Sequence, residues 1–359
     1  MVSFVQSVST LQGLISRQRM TNETTRNMLI AETEMGTGRH ADAFKSLGTR
    51  AIEALNTRAM YERTEGRIES NTLLQNRLDL MTTSLGNIRE AAEEVMTMAV
   101  ANTDPTSADP RYLQQMAIDA YNTIASFLNA SYNGKAFFSG VDSNGNAMNN
   151  WSQDDSATGL SPNDVMTSIV GGGIANAADA AAKLAEVDAV FNGTPTNPAH
   201  AYEDTFYNGT ALMNGAVPNP RLTAQIDEDY QIEYGVQAND KGFRDLMRGL
   251  AMLASTDPVF ITDADAYKEW VGAAAGAIGS GVGAVLEAEA RTGTMQKQVE
   301  SANDRLNAKR EVLSLHISSL ETVDPYEAAT RLTSAETQLQ ASYAVTARLQ
   351  KMSFLNFMS

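Results

Sequence analysis

The 359-residue chain contains no cysteine, which excludes disulfide frameworks, thiol nucleophiles and cysteine-ligated zinc. Its three histidines, His40, His200 and His316, are far apart and none sits in a His-Glu-x-x-His spacing, so a helical zinc site of the protease type is missing. Positive charge is scarce as well. The 27 Lys and Arg face 43 Asp and Glu, and the net charge of -16 opposes both phosphate backbones and anionic lipid. No basic patch interleaves with aromatics, which make up 7% of the chain. No nucleic-acid partner is expected. No apolar run reads as long enough to cross a bilayer, so no membrane insertion is expected. Met1 to Ile15 is amphipathic and its first basic residue is Arg17, which predicts no cleaved secretory signal. The hydrophobic content of 43% supports a sizeable core in two or three domains.

What is present is helical periodicity, strongest where the chain begins and ends. Asp324-Pro325-Tyr326-Glu327 reads as a helix start, with Asp at the N-cap, Pro at the first helical position and Glu placed for a capping box. Behind it Leu332, Ala335, Leu339, Tyr343, Leu349 and Met352 recur at spacings of three and four, with one gap of six between Tyr343 and Leu349. Such a helix is roughly 50 Å long and its stripe is rich in Ala, Ser and Thr, so it needs another long helix as partner. The other terminus offers one, and two such marginal seams can pair with each other, with another protein or with neighbouring copies. Met1, Phe4, Val8, Leu11 and Ile15 alternate by four and three, and the stripe continues through Gln18, Asn22 and Thr25 to Leu29. Seams this polar are expected to stay poorly ordered in dilute monomer and to become helical when copies assemble.

Glycines 36 and 38 break the first helix, and a second begins near Leu47. Leu74, Leu78, Met81, Leu85, Ile88, Ala92, Val95 and Ala99 form an unbroken heptad run. Asp104-Pro105 and Asp109-Pro110 end it and open a helix with Leu113, Met116, Ala120, Ile124 and Phe127 on one face. A turn at Asn133-Gly134 and an aromatic strand at Phe137-Phe138 follow, then a loop-rich insert with a helix over 177–191. Leu222 to Ile226 and Tyr230 to Val236 alternate as a hairpin across Asp227-Glu228-Asp229. Helical pattern resumes over 242–254 and 263–322, with a second heptad run from Met295 to Leu320 placed to face the first.

The expected fold is therefore mainly α: a long coiled-coil-like bundle formed by the N- and C-terminal segments, with an inserted mixed α/β outer domain. Residues 1–45 and 324–359 form terminal helices for assembly, 46–141 and 240–323 a helical stalk, and 142–239 an insert. Because the insert leaves and returns at nearly one point, removing 142–219 should leave a folded protein.

Candidate chemistry is weak throughout. Gly279-x-Gly281-x-Gly283 lacks the preceding strand and third-glycine spacing of a dinucleotide loop, and reads as close helix packing. Asp154-Asp155 and Asp227-Glu228-Asp229 match no calcium loop, and His316 lies on a heptad stripe. No catalytic residue, metal or cofactor is predicted.

Three motifs and the closing helix carry a resemblance. Thr37-Gly38-Arg39, Leu85-Gly86-Asn87-Ile88-Arg89-Glu90 and Lys135-Ala136-Phe137-Phe138-Ser139-Gly140, with Asp324-Pro325-Tyr326-Glu327 and the helix from Thr330 to Tyr343, resemble the flagellin family over both outer thirds. An Asp-Asp-Pro-Ala after the first turn is absent, with only Asp42 nearby, and the chain finishes in Ser353 to Ser359 instead of a flagellin-type ending. The missing ending favours a hook–filament junction adaptor over the filament subunit itself. A secreted adhesin or enzyme carried by the insert is the alternative of another class. The resemblance implies a non-enzymatic, extracellular flagellar subunit exported without a cleaved signal peptide. Its implied partners are copies of itself, another hook-associated protein, flagellin, an export chaperone and the flagellar type III export apparatus. Phe4, Val8, Leu11, Ile15, Leu332, Leu339, Tyr343, Leu349 and Met352 are the expected assembly interface.

Overall fold

The computed structural model describes residues 3–105, 109–142, 145–255 and 260–357; the side chains of residues 3–11, 43–44 and 350–357 lie outside that description. Contacts divide the chain into two compact units, residues 1–66 with 307–359 and residues 67–306. Both division points fall inside long helices, where no turn marks them in the sequence.

The first unit contains helix α1 (Ser3–Thr37), the short α2 (Ala43–Leu47), the start of α3 (Ala51–Ala101), the end of α8 (Ala264–Glu321) and α9 (Pro325–Phe357). A backbone bridge pins the turns between these helices. Gly38 has φ +67, which an L side chain adopts only with strain, and its carbonyl accepts from the Val323 N–H at 3.0 Å. The His40 N–H donates to Glu321 O at 2.9 Å, and Arg39 pairs with Thr322. Within the same unit, Arg58 grips the buried Glu321 with two bonds of 2.6 and 2.8 Å, a fork geometry only arginine supplies.

The second unit holds a single core. Every residue of the Leu74–Ala99 heptad run is buried. Here α3 and α8 run antiparallel: Gln296 meets Asp79 at 2.7 Å, Asn303 meets Asn71 at 3.0 Å, and Glu289 meets Arg89 at 3.2 Å. The Leu74–Ala99 run thus faces residues earlier in α8, including the buried Ile278, Val285 and Ala288, and meets only the first part of the Met295–Leu320 run. The expected facing of the two heptad runs is therefore displaced along the helices. Helix length, which the heptads do not encode, sets the offset.

Helix α4 (Pro110–Leu128) starts where predicted, with Asp109 accepting from the Tyr112 N–H and Pro110 in the first turn. A two-residue turn then joins β1 (Ser131–Tyr132) to β2 (Lys135–Ala136); Asn133 at φ 52 and Gly134 at φ 75 give the primed geometry that suits strand twist. Phe137 and Phe138 are not a strand, contrary to expectation. They leave the hairpin and enter the core, Phe138 meeting Phe243 at 6.2 Å between ring centroids. Helix α5 (Pro162–Val170) was missed by periodicity because it is short, although Ser161 and Asp164 form a full capping box. Helix α6 (Ala177–Phe191) has its predicted bounds. A second small hairpin, β3 (Met213–Asn214) with β4 (Val217–Pro218), precedes the expected one, β5 (Thr223–Gln225) with β6 (Gln231–Glu233).

Helix α7 (Lys241–Ser255) lies against α8 at glycines. A Cβ on Gly281 would fall 2.5 Å from that of Leu246, and one on Gly249 would fall 2.6 Å from Ala274 O. Close packing is thus the role of Gly281, as its sequence context suggested, and Gly281→Ala is expected to cost about 1–3 kcal/mol in urea melts by overpacking. Helix α8 also holds an 18-residue window apolar enough by length and composition to cross a membrane, with mean hydropathy 1.4. That overturns the reading that no such run exists, which overlooked how far Ala, with scattered Val, Ile and Leu, raises the average. The window is 44% buried in the protein.

Candidate assembly surface

Helices α1 and α9 pair antiparallel, as two contacts show: Thr21 Oγ1 lies 2.9 Å from Ser342 Oγ, and Arg331 lies 3.0 Å from Glu34. The inner line of α1 is Thr21, Thr24, Met28, Ala31 and Glu34, and that of α9 is Ala328, Leu332, Ala335, Leu339, Ser342, Thr346 and Leu349. Most of these side chains are small. Small residues let two helices approach closely but remove little apolar area from water, so the pair alone is weakly held.

The predicted stripe of α1 falls elsewhere. Ile15 is 45% and Leu29 53% exposed, and Gln18 and Asn22 also point outward. The inner line is offset from the stripe by one residue, which is about 100° of rotation on a helix. On α9, Leu332, Leu339 and Leu349 are half-buried against α1, whereas Tyr343 is 59% exposed. The side chains of Phe4, Val8, Leu11 and Met352 lie outside the described residues. The expected interface residues are thus split between two faces. Leu14, Met20 and Val345 add to the outward apolar surface.

Glu34 escaped the sequence reading. Its side chain is 2% exposed, within reach of Arg331, of His40 Nδ1 at 3.4 Å and of the Ala41 N–H at 3.3 Å. The signal was a basic residue, Arg331, on the stripe side of a small-residue helix. His316 sits half-exposed beside Glu53 at 3.1 Å, so its partner is a surface carboxylate and not a dry seam.

The second unit contains a cleft of about 600 Å³ lined by Arg221, Asp240, Lys241, Asp245, Glu287 and Arg291, among others. Several of its charges neutralise one another: Asp240 hydrogen-bonds the Arg221 guanidinium and holds its pKa up, and Lys241 meets Asp245 at 2.7 Å. Within the insert, Tyr202 and Tyr207 have raised pKa values because burial penalises their charged forms. Desolvation acts to raise Asp155, yet its pKa is lowered because Thr158 and Ala157 N–H groups stabilise the carboxylate. These groups do not line the cleft, and each shift has a structural cause.

No curated protein matches the chain. Among solved structures, "Structure of putative flagellar hook-associated protein from Vibrio parahaemolyticus" is similar at 12% identity and a TM-score of 0.49, over 76% of this chain and 97% of that one. The family models are more informative. The bacterial flagellin N-terminal helical region matches residues 8–143, and the bacterial flagellin C-terminal helical region matches residues 275–358. The two matches embrace α1 through α4 at one end and most of α8 with α9 at the other, more than half of the chain. With its long paired terminal helices, the chain belongs to the flagellin family, a family of structural, non-enzymatic subunits of the bacterial flagellum.

Proposed function

We propose that this subunit is an adaptor at the hook–filament junction, of the kind represented by hook-associated protein 3. It assembles through its terminal helices, using Phe4, Val8, Leu11 and Ile15 of α1 and Leu332, Leu339, Tyr343, Leu349 and Met352 of α9. The observation that carries this is the outward apolar surface of α1 and α9, where Ile15, Leu29, Tyr343 and Val345 face water in the single chain. Monomeric proteins seldom leave such a line uncovered, and copies stacked side by side would cover it. Further partners are a second hook-associated protein on one side and flagellin on the other. The subunit travels through the type III export channel with a chaperone and without a cleaved signal peptide. Its insert, 142–239, faces outward as a variable region.

Cells lacking the protein are expected to build hooks, carry no filaments and release flagellin into the medium. Electron microscopy of the cells with an immunoblot of the culture fluid checks this. Loss of the hook as well would place the subunit earlier in assembly, and loss of nothing would remove the reading.

A further inference from the structure

We propose that Glu34 and Arg331 set the rotation of α1 against α9, and so decide which face of α1 remains available to other copies. The proposal rests on the assembly reading above but concerns the isolated chain. Two faces of α1 compete for α9. One is the small-residue line through Thr21 and Ala31; the other is the larger apolar stripe through Ile15 and Leu29. By hydrophobic area alone the stripe should turn inward. It does not, and the inner line carries the one charged residue of α1 and α9 that is buried among the described residues, Glu34.

A carboxylate at 2% exposure is tolerated only where cations and donors meet it. Arg331 of α9 lies 3.0 Å from Glu34 Oε2 as an ion pair outside hydrogen-bond geometry, and the His40 ring and the Ala41 N–H meet Oε1. If α1 rotated by one residue to bury Ile15 and Leu29, Glu34 would swing away from Arg331 and the pair would be lost. Fixing one arrangement against others is the best-attested use of a buried polar pair. The backbone bridge at Arg39 and Thr322 fixes where the helices begin, but a bridge in a turn does not fix the rotation of a helix more than ten residues away at Thr21.

The cysteine-free chain makes the rotation measurable. Thr21→Cys with Ser342→Cys reports the observed rotation, because these side chains touch; Asn22→Cys with Ser342→Cys reports the alternative, because Asn22 points outward. In the full chain, kept monomeric, disulfide should form at 21–342 and scarcely at 22–342. With Glu34→Leu or Arg331→Met the ratio of the two yields should fall by about tenfold or more. Exchanging the charges, Glu34→Arg with Arg331→Glu, should restore it. Far-UV circular dichroism confirms that each variant keeps its helices. An unchanged ratio in helical Glu34→Leu and Arg331→Met chains would overturn the proposal, as would failure of the exchange to restore it. Because the yields are read on monomer, either result leaves the junction assignment to its own test.

Discussion

Deleting residues 142–219 is expected to abolish cooperative melting of the second unit. The segment looked dispensable in the sequence, since it leaves and returns at neighbouring points. Packing contradicts that view. Trp151, Val165, Met166, Val187, Val190, Phe191, Tyr202, Phe206 and Tyr207 all belong to the core that also holds Leu85, Ile124 and Leu250. Tyr121 of α4 meets Trp151 edge-on at 5.2 Å, Tyr202 donates to Ala238 O at 2.9 Å, and Arg244 of α7 donates to Phe191 O at 2.8 Å. Removing nine large core side chains, each of which contributes about 1.5–3 kcal/mol by its burial, exceeds the whole stability of a typical domain, about 5–15 kcal/mol. Calorimetry of the deletion variant should show no transition for this unit. A retained sharp transition would mean that α4, α7 and α8 close a core without the insert.

Leu339→Asp and Tyr343→Asp should both yield cells with hooks but without filaments, for different reasons. Leu339 is half-buried against α1, so a carboxylate there costs on the order of 2–4 kcal/mol and loosens the α1–α9 pair before any partner arrives. Tyr343 points outward, so Tyr343→Asp should leave the monomer's helicity unchanged and act only on contacts between copies. Amide exchange separates the two, with protection of α1 and α9 reduced in the first variant and unchanged in the second. Neither change touches the core of the second unit, whose melting should stay within about 0.5 kcal/mol of the parent. Normal filaments on Tyr343→Asp cells would show that the outward face of α9 makes no essential contact.

The elements legible in the sequence were those whose side chains repeat over many turns or whose caps are strong. The Leu74–Ala99 run, the helix starts at Asp109 and the bounds of α6 followed from periodicity and capping, and each is present as expected. The Asn133-Gly134 turn was legible because two consecutive residues of positive φ suit those two residue types. The fate of Phe137 and Phe138 was not, since aromatic residues favour both strands and cores and only the rest of the fold decides between them. Most instructive is α1. Its apolar stripe was visible, but whether α9 or another copy covers it was not, because hydrophobicity ranks faces by area and takes no account of a buried ion pair such as Glu34 with Arg331.

The junction assignment is tested most directly by immunogold electron microscopy of isolated flagella, using antibody raised against residues 67–306, the second compact unit. Gold confined to the boundary between hook and filament is the predicted result. Gold along the whole filament, or on the hook alone, would contradict it.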